Sequence, residues 1–200
     1  MMKRLFDMIS GLVGLIFISP IFLVVPILIK LDSKGPVFFK QWRIGKDGKQ
    51  FKIYKFRTMV QDADKVGSLI TAGSDQRITR IGKLLRRYEI DELPTLVNVL
   101  KGDMSIVGPR PEVPKYLKRF DNLKYREVLS VRPGITDLGT MAFRDEAKYM
   151  NGQNFEEIYE KEILPLKLDL YLEYVHHHNF VFDLKIILKT IVLILKQRKI

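Results

Sequence analysis

The chain has no cysteine in its 200 residues. That absence excludes a disulfide framework and a thiol nucleophile, and it is compatible with a reducing compartment. Acidic residues are scarce beside basic ones, 23 against 34, and the resulting net charge of +11 calls for an anionic partner: nucleic acid, anionic lipid or a phosphorylated substrate. Nucleic acid has the least support, because no helix-turn-helix, zinc-ligand or RNP-type pattern is present. Histidine is confined to His176-His177-His178, adjacent residues that share no helical face and offer no metal-site spacing.

Charge is also missing from Met8 to Ile29. At about 1.5 Å rise per residue such a run can cross a hydrocarbon core roughly 30 Å thick. It exceeds the apolar region of a cleaved signal peptide, and no A-x-A-like site follows, so it is expected to stay in the mature protein. Ser19-Pro20 falls mid-run and Pro26 follows; an interior proline removes a backbone hydrogen bond and clashes with the preceding turn. Basic residues flank both ends (Lys3, Arg4; Lys30, Lys34, Lys40), so the positive-inside rule orients no span. A re-entrant helix-break-helix keeps both flanks on one side, and a kinked transmembrane helix is the alternative.

Val37–Met59 reads as a β-hairpin around Gly45-Lys46-Asp47-Gly48, because aromatic and β-branched runs flank an Asp-Gly turn signal. Its second arm carries Lys52, Lys55 and Arg57, which suit either phosphate binding or a solvated strand face. Val60–Gln76 is polar and contains glycine, as expected of a loop or lid. Ile78–Tyr88 is a basic amphipathic helix pattern, suited to a membrane interface or to a protein core with a charged outer face. Glu156–Tyr174 reads as a helix interrupted or restarted at Pro165. The longest uncharged run in Phe180–Ile200, Thr190–Leu195, is too short to span, so that segment lies on the membrane or on the core.

Arg86–Pro111 concentrates the chemistry. An acid pair, Asp91-Glu92, sits between Arg86-Arg87 and Arg110, and Leu93-Pro94 leads into an apolar run. Asp91 is expected at or just before a helix N-terminus, with Pro94 in the first turn. Unpaired N–H groups there favour a carboxylate and equally a phosphate, so capping and catalysis compete as roles for Asp91. Prolines on both sides of Arg110 stiffen its loop, and Arg suits bidentate phosphate binding. Val131-Arg132-Pro133-Gly134-Ile135-Thr136 repeats the device, with Arg144 downstream.

Taken together, these blocks resemble the bacterial sugar transferase family, the small monotopic phosphoglycosyl transferases. The likeness rests on Ser19-Pro20, Tyr54–Met59, Asp91–Pro94, Asn98–Ser105, Val107–Pro111, Arg132–Thr136 and Asp183–Ile186, in that order over nearly the whole chain. The sequence departs from the family after Thr136, reading Asp137-Leu138-Gly139-Thr140-Met141-Ala142-Phe143-Arg144.

The resemblance implies transfer of a sugar-1-phosphate from a UDP-sugar to a polyprenol (undecaprenyl) phosphate, with release of UMP, in bacterial polysaccharide or glycoprotein glycan synthesis. It implies Asp91 as nucleophile and Glu92 as a Mg²⁺ ligand, with Asp91 beside it at the metal. Arg86 and Arg110 would hold phosphates, with Lys55, Arg57 and Arg144 as further candidates. The expected fold is α+β and mostly helical. Residues 1–34 would form the re-entrant membrane segment, and residues 35–200 a catalytic domain on the cytoplasmic face of the inner membrane, held there by interfacial helices on anionic lipid. The oligomeric state stays open.

Overall fold

The computed structural model describes residues 2–63, 75–117, 123–143 and 155–196. Most of the expected loop after Val60 falls outside these, as does Arg144. The described part is mostly helical, with two small two-stranded sheets.

Met2–Asp32 forms one helix, α1, that contains both Pro20 and Pro26. The expected helix-break-helix is not seen as two separate helices, since α1 continues through Ser19-Pro20. Pro20 has no N–H to offer Ile16 O, and Ser19 Oγ donates to that carbonyl instead, at 2.8 Å, which offsets one of the two costs of an interior proline. Leu12, Ile16, Phe17, Leu23 and Leu31 are each more than half exposed. Only 11% of the most apolar 18-residue stretch is buried, which suits a helix surrounded by lipid and not one inside a protein core.

The other side of α1 is attached along its length to the rest of the molecule. Lys3 Nζ donates to Asp183 Oδ2 at 2.5 Å. Arg4 donates to Val99 O and Leu100 O at 2.6 and 2.8 Å. The buried Asp7 carboxylate accepts from Ser105 Oγ and from the Ile106 N–H. Further on, Gly11 lies against Leu100 and Val99, and Val25 and Ile29 form a core with Phe56 and Leu85. At the far end Asp32 accepts from the Ile81 N–H at 2.9 Å. Both ends of α1 are therefore fixed to the same body.

The expected hairpin is present: β1 (Phe38–Ile44) pairs antiparallel with β2 (Gln50–Phe56), and Asp47 and Gly48 take the positive φ values that the turn needs. Next comes α2 (Arg80–Arg87), capped by Thr79, whose side chain accepts from the Gly82 N–H. Gly82 passes so close to the Thr58 carbonyl that a Cβ would lie 2.0 Å from its oxygen. Helix α3 (Thr95–Lys101) is joined to β2 by Asn98, which is fully buried. Its side chain accepts from Tyr54 N and donates to Lys52 O and Asp103 Oδ2, which satisfies the strand's outer groups.

Two short strands, β3 (Ser105–Val107) and β4 (Gly134–Thr136), pair in parallel. Gly134 meets Gly108 so closely that a Cβ would lie 2.1 Å from Gly108 N, so only glycine fits. Short helices α4 (Pro114–Leu117), α5 (Leu123–Val128), α6 (Leu138–Ala142) and α7 (Phe155–Ile158) follow. A π turn over Tyr159–Ile163 precedes α8 (Leu164–His177). The expected restart at Pro165 is thus seen: α8 begins one residue earlier, where a residue without an N–H is tolerated. The last helix, α9 (Phe180–Lys196), packs on α1 through Phe6 and Phe180, with ring centres 5.2 Å apart.

Candidate active site

Asp91 and Glu92 lie on a single 3-10 turn, Ile90–Glu92, immediately ahead of α3. The residue at the cap of α3 is Pro94, and Asp91 makes no capping bond to that helix. The turn is entered through Glu89, whose φ of 55° is left-handed. It is closed by Thr95 Oγ1, which donates to Glu92 O. A constrained turn of this kind holds the two carboxylates in place without using either of them.

Glu92 Oε1 receives both Lys55 Nζ, at 2.5 Å, and Arg110 Nη2, at 2.8 Å. Lys55 comes from the end of β2. Arg110 comes from the Pro-flanked loop after β3, and that loop is stapled to the second Pro-Gly loop: Gly134 N donates to Pro109 O, and Ser105 N to Pro133 O. The two Pro-Gly devices seen in the sequence are thus one structure, and its product is a fixed Arg110. Arg86 is placed by α2, where its Nε donates to Thr58 Oγ1 at 2.8 Å.

The two acids differ electrically. Burial alone would raise Glu92, but Arg110 and Lys55 outweigh it and hold the carboxyl well below the ordinary glutamate value. Asp91 is raised above the ordinary aspartate value, chiefly by burial; Lys55 opposes the rise, the Glu92 charge adds to it, and Arg86 opposes it. Burial lowers Lys55, against the pull of Glu92. Among the described residues no side chain donates to the Asp91 carboxylate. One acid is clamped by two side chains and ionised; its neighbour keeps only a bond from its own backbone N–H.

Both acids, with Lys55, Arg57, Arg86 and Arg110, border a cavity of about 950 Å³. Arg57 differs from the others in its bonding: its Nη2 donates to Ser33 O and Ser33 Oγ at 2.7 and 2.9 Å, which ties the end of β2 to the end of α1. Of the expected site residues, the structure gathers Asp91, Glu92, Lys55 and Arg110, sets Arg86 beside them, and anchors Arg57 elsewhere on the wall.

Several wall residues were not singled out from the sequence. Arg43 donates to Pro111 O and so braces the Arg110 loop from β1. Glu112 accepts from Tyr159 OH at 3.2 Å, and Lys167 lies 4.9 Å from the Tyr159 ring centre. Behind the wall, Asp137, buried at the start of α6, accepts from both the N–H and the hydroxyl of the wall residue Thr140. A usable signal existed for two of them. Glu112 directly follows the Pro-Arg-Pro run, and Asp137 opens the stretch that departs from the family pattern.

Among the described residues no cluster of three or more His, Cys, Asp or Glu is placed to hold a metal ion. His176 faces Glu127, and His177 and His178 turn back to backbone carbonyls.

Comparison with known proteins decides the class, since the model of the bacterial sugar transferase family matches residues 1–197. The chain belongs to that family. Among curated relatives of this sugar transferase, the exopolysaccharide production protein PSS of Rhizobium leguminosarum bv. phaseoli is 42% identical over 96% of the chain and 94% of the relative. The UDP-glucose:undecaprenyl-phosphate glucose-1-phosphate transferase of Escherichia coli (strain K12) is 37% identical over 96% of the chain, which spans 39% of that longer protein. The UDP-N-acetylgalactosamine-undecaprenyl-phosphate N-acetylgalactosaminephosphotransferase of Aeromonas hydrophila is 45% identical over 67% of the chain and 32% of the relative. The match thus spans about a third of the last of these, and the two named sugars differ.

Proposed function

We propose that this sugar transferase moves a sugar-1-phosphate from a UDP-sugar to a polyprenol phosphate, undecaprenyl phosphate being the acceptor named for its relatives, and releases UMP. One observation carries the mechanism: among the described residues the Asp91 carboxylate has no side-chain donor, on a fixed turn beside a glutamate already held by Lys55 and Arg110. A carboxylate kept only for structure would be spent on a cap or an ion pair.

In the first step an Asp91 oxygen attacks the phosphorus that bears the sugar. The P–O bond to the second phosphate breaks, and UMP departs with the bonding electrons. The product is an aspartyl-phosphosugar. In the second step an oxygen of the lipid phosphate attacks the same phosphorus, the bond to Asp91 breaks, and the carboxylate is regenerated. Arg110 and Lys55 sit where they can take over charge from the diphosphate as it develops, and Arg86 can hold a phosphate from the α2 side.

Mg²⁺ suits this donor set. The ion is commonly held by one or two carboxylates, with substrate phosphates and water completing its shell. Asp91 and the second oxygen of Glu92 are the two carboxylate oxygens at hand. When bound, Mg²⁺ would neutralise diphosphate charge and ease departure of UMP.

The acceptor explains the architecture. A polyprenol phosphate keeps its reactive head at the bilayer surface, so the enzyme must meet lipid and soluble donor together. We read residues 1–34 as bending at Ser19-Pro20 within the cytoplasmic leaflet of the inner membrane, so that both ends of α1 return to one side, and residues 35–200 as the catalytic domain there. Support comes from Lys3, Arg4 and Asp7 at one end of α1 and Asp32 and Ser33 at the other, all bonded to the same body. The basic α2 and the apolar face of α9 suit the adjoining anionic surface. Incubation with polyprenol phosphate, Mg²⁺ and a panel of UDP-sugars tests this reading, with the nucleotide product as readout. UMP supports it; UDP would mean that the sugar is moved without its phosphate.

A further inference from the structure

We propose that the outer face of the β1–β2 hairpin is a second membrane contact, in which Trp42 seats among the headgroups of an anionic bilayer with Lys40 and Lys52 beside it. Cross-strand pairing sets Phe38 opposite Phe56, Lys40 opposite Tyr54 and Trp42 opposite Lys52, so these six side chains share one face. Trp42 is 50% exposed and Phe38 39%, a large ring area to leave in water. Lysines flank the rings: Lys52 Nζ lies 4.8 Å from the Trp42 ring centre, and Lys40 and Lys101 lie 5.6 and 5.3 Å from that of Tyr54. The acid Asp103 also borders the group, at 3.9 Å from Lys101.

This pattern fits the bilayer boundary. Trp and Tyr rings settle at headgroup depth, and lysine stems lie along apolar surface while their ammonium groups reach phosphate. Position argues the same way, because two corners of the face are attached to α1. At one corner Phe38 stacks on Phe56, and Phe56 meets Phe22 of α1, with ring centres 5.5 and 5.1 Å apart. At the other, Lys101 ends the helix whose last carbonyls are held by Arg4. The face therefore meets the helix that enters the lipid at Phe22 and, through α3, near Arg4. Phe38 and Lys40 also border the active-site cavity, so a bilayer held here lies at its mouth, where a lipid phosphate is needed.

The inference rests on reading α1 as membrane-embedded, and the readouts separate the two. Trp42 is the sole tryptophan, so emission from the full chain reports this face. In vesicles of phosphatidylethanolamine and phosphatidylglycerol, lipid brominated near the headgroup should quench Trp42 several-fold more than lipid brominated near the chain end. The double variant Lys40→Glu, Lys52→Glu should lose most of that quenching while still floating with the vesicles. Flotation without quenching by either lipid, with acrylamide reaching Trp42 as freely as in the unfolded chain, would overturn the hairpin contact and leave the insertion of α1 standing. Stronger quenching from the chain end than from the headgroup would also overturn it, and undiminished quenching in the double variant would remove lysine from the account. Failure of the wild-type protein to float would overturn both readings.

Discussion

Glu92 accepts from Arg110 Nη2 at 2.8 Å, and this bond joins the acid turn before α3 to the proline-flanked loop after β3. The loop is stiff because Pro109 and Pro111 bracket it, and its backbone is bonded to the neighbouring Pro-Gly loop. Arg110 is therefore delivered as a fixed donor fork, with nitrogens beyond the one spent on Glu92.

That relationship makes Arg110→Lys informative. Lysine keeps the charge and loses the planar fork. Removing a fixed donor from developing charge typically costs about 10²–10³ in kcat, so UMP release should fall by roughly that factor. Thermal unfolding should change little, since the ion pair is partly exposed and worth about 1 kcal/mol. Near-normal turnover would reduce Arg110 to a turn residue.

Asn98 should behave in the opposite way, as a stability residue. It is fully buried and serves Tyr54 N, Lys52 O and Asp103 at once. Asn98→Ala leaves buried backbone groups of β2 unpaired, at about 1–3 kcal/mol each. A thermal melt should show a loss of several degrees, accompanied by loss of activity, because β2 also carries Lys55. An unchanged melting temperature would contradict the role.

The topology is open to direct labelling, because the chain has no native cysteine to confuse it. Cysteines placed at Lys3 and at Lys34 should react alike with an impermeant reagent in sealed vesicles. Opposite reactivity would mean that α1 spans. Pro20→Leu should favour a continuous span, because it restores the N–H that Ile16 O lacks and for which Ser19 substitutes.

The sequence made the main elements legible and misjudged their junctions. The hairpin, α2, the restart at Pro165 and the long apolar helix all follow from local signals: an Asp-Gly turn, a basic amphipathic period, a proline and an uncharged run. Asp91 lies just before a helix N-terminus, as expected, but on its own 3-10 turn, and Pro94 is the cap of α3 and not part of its first turn. Local pattern cannot separate the two, because Pro94 suits a first turn and a cap alike. Arg57 illustrates a further limit: nothing in its strand context reveals that Ser33, at the end of another element, holds its guanidinium. Arg43 and Tyr159 reach the wall only through tertiary packing, so no spacing announces them.

The raised pKa of Asp91 gives a pH test. Burial, followed by the adjacent Glu92 charge, raises it, and only the ionised form attacks phosphorus. The donor-only release of UMP should therefore fall with decreasing pH at values above those of an ordinary aspartate. Glu92→Gln removes one cause of the rise and frees Lys55, so the acid limb should move to lower pH, whatever the absolute rate. Glu92 has the opposite sign. Its depressed pKa contributes stability that is full above the ordinary glutamate value and is lost as pH falls below it. An acid limb that Glu92→Gln leaves in place would mean that another group titrates.

The central claim is that Asp91 becomes covalently attached to the sugar phosphate. The most direct measurement incubates the enzyme with the productive UDP-sugar and Mg²⁺ in the absence of polyprenol phosphate, followed by mass spectrometry of the protein and of its Asp91 peptide. The account predicts UMP stoichiometric with active enzyme and a sugar-phosphate adduct on that peptide, lost on adding the lipid. It also predicts neither product in Asp91→Asn, which nonetheless folds, since the wild-type carboxylate has no side-chain partner to lose. UMP that appears only after lipid is added, with no adduct at any time, or turnover retained in Asp91→Asn, would contradict the account and leave direct attack by the lipid phosphate.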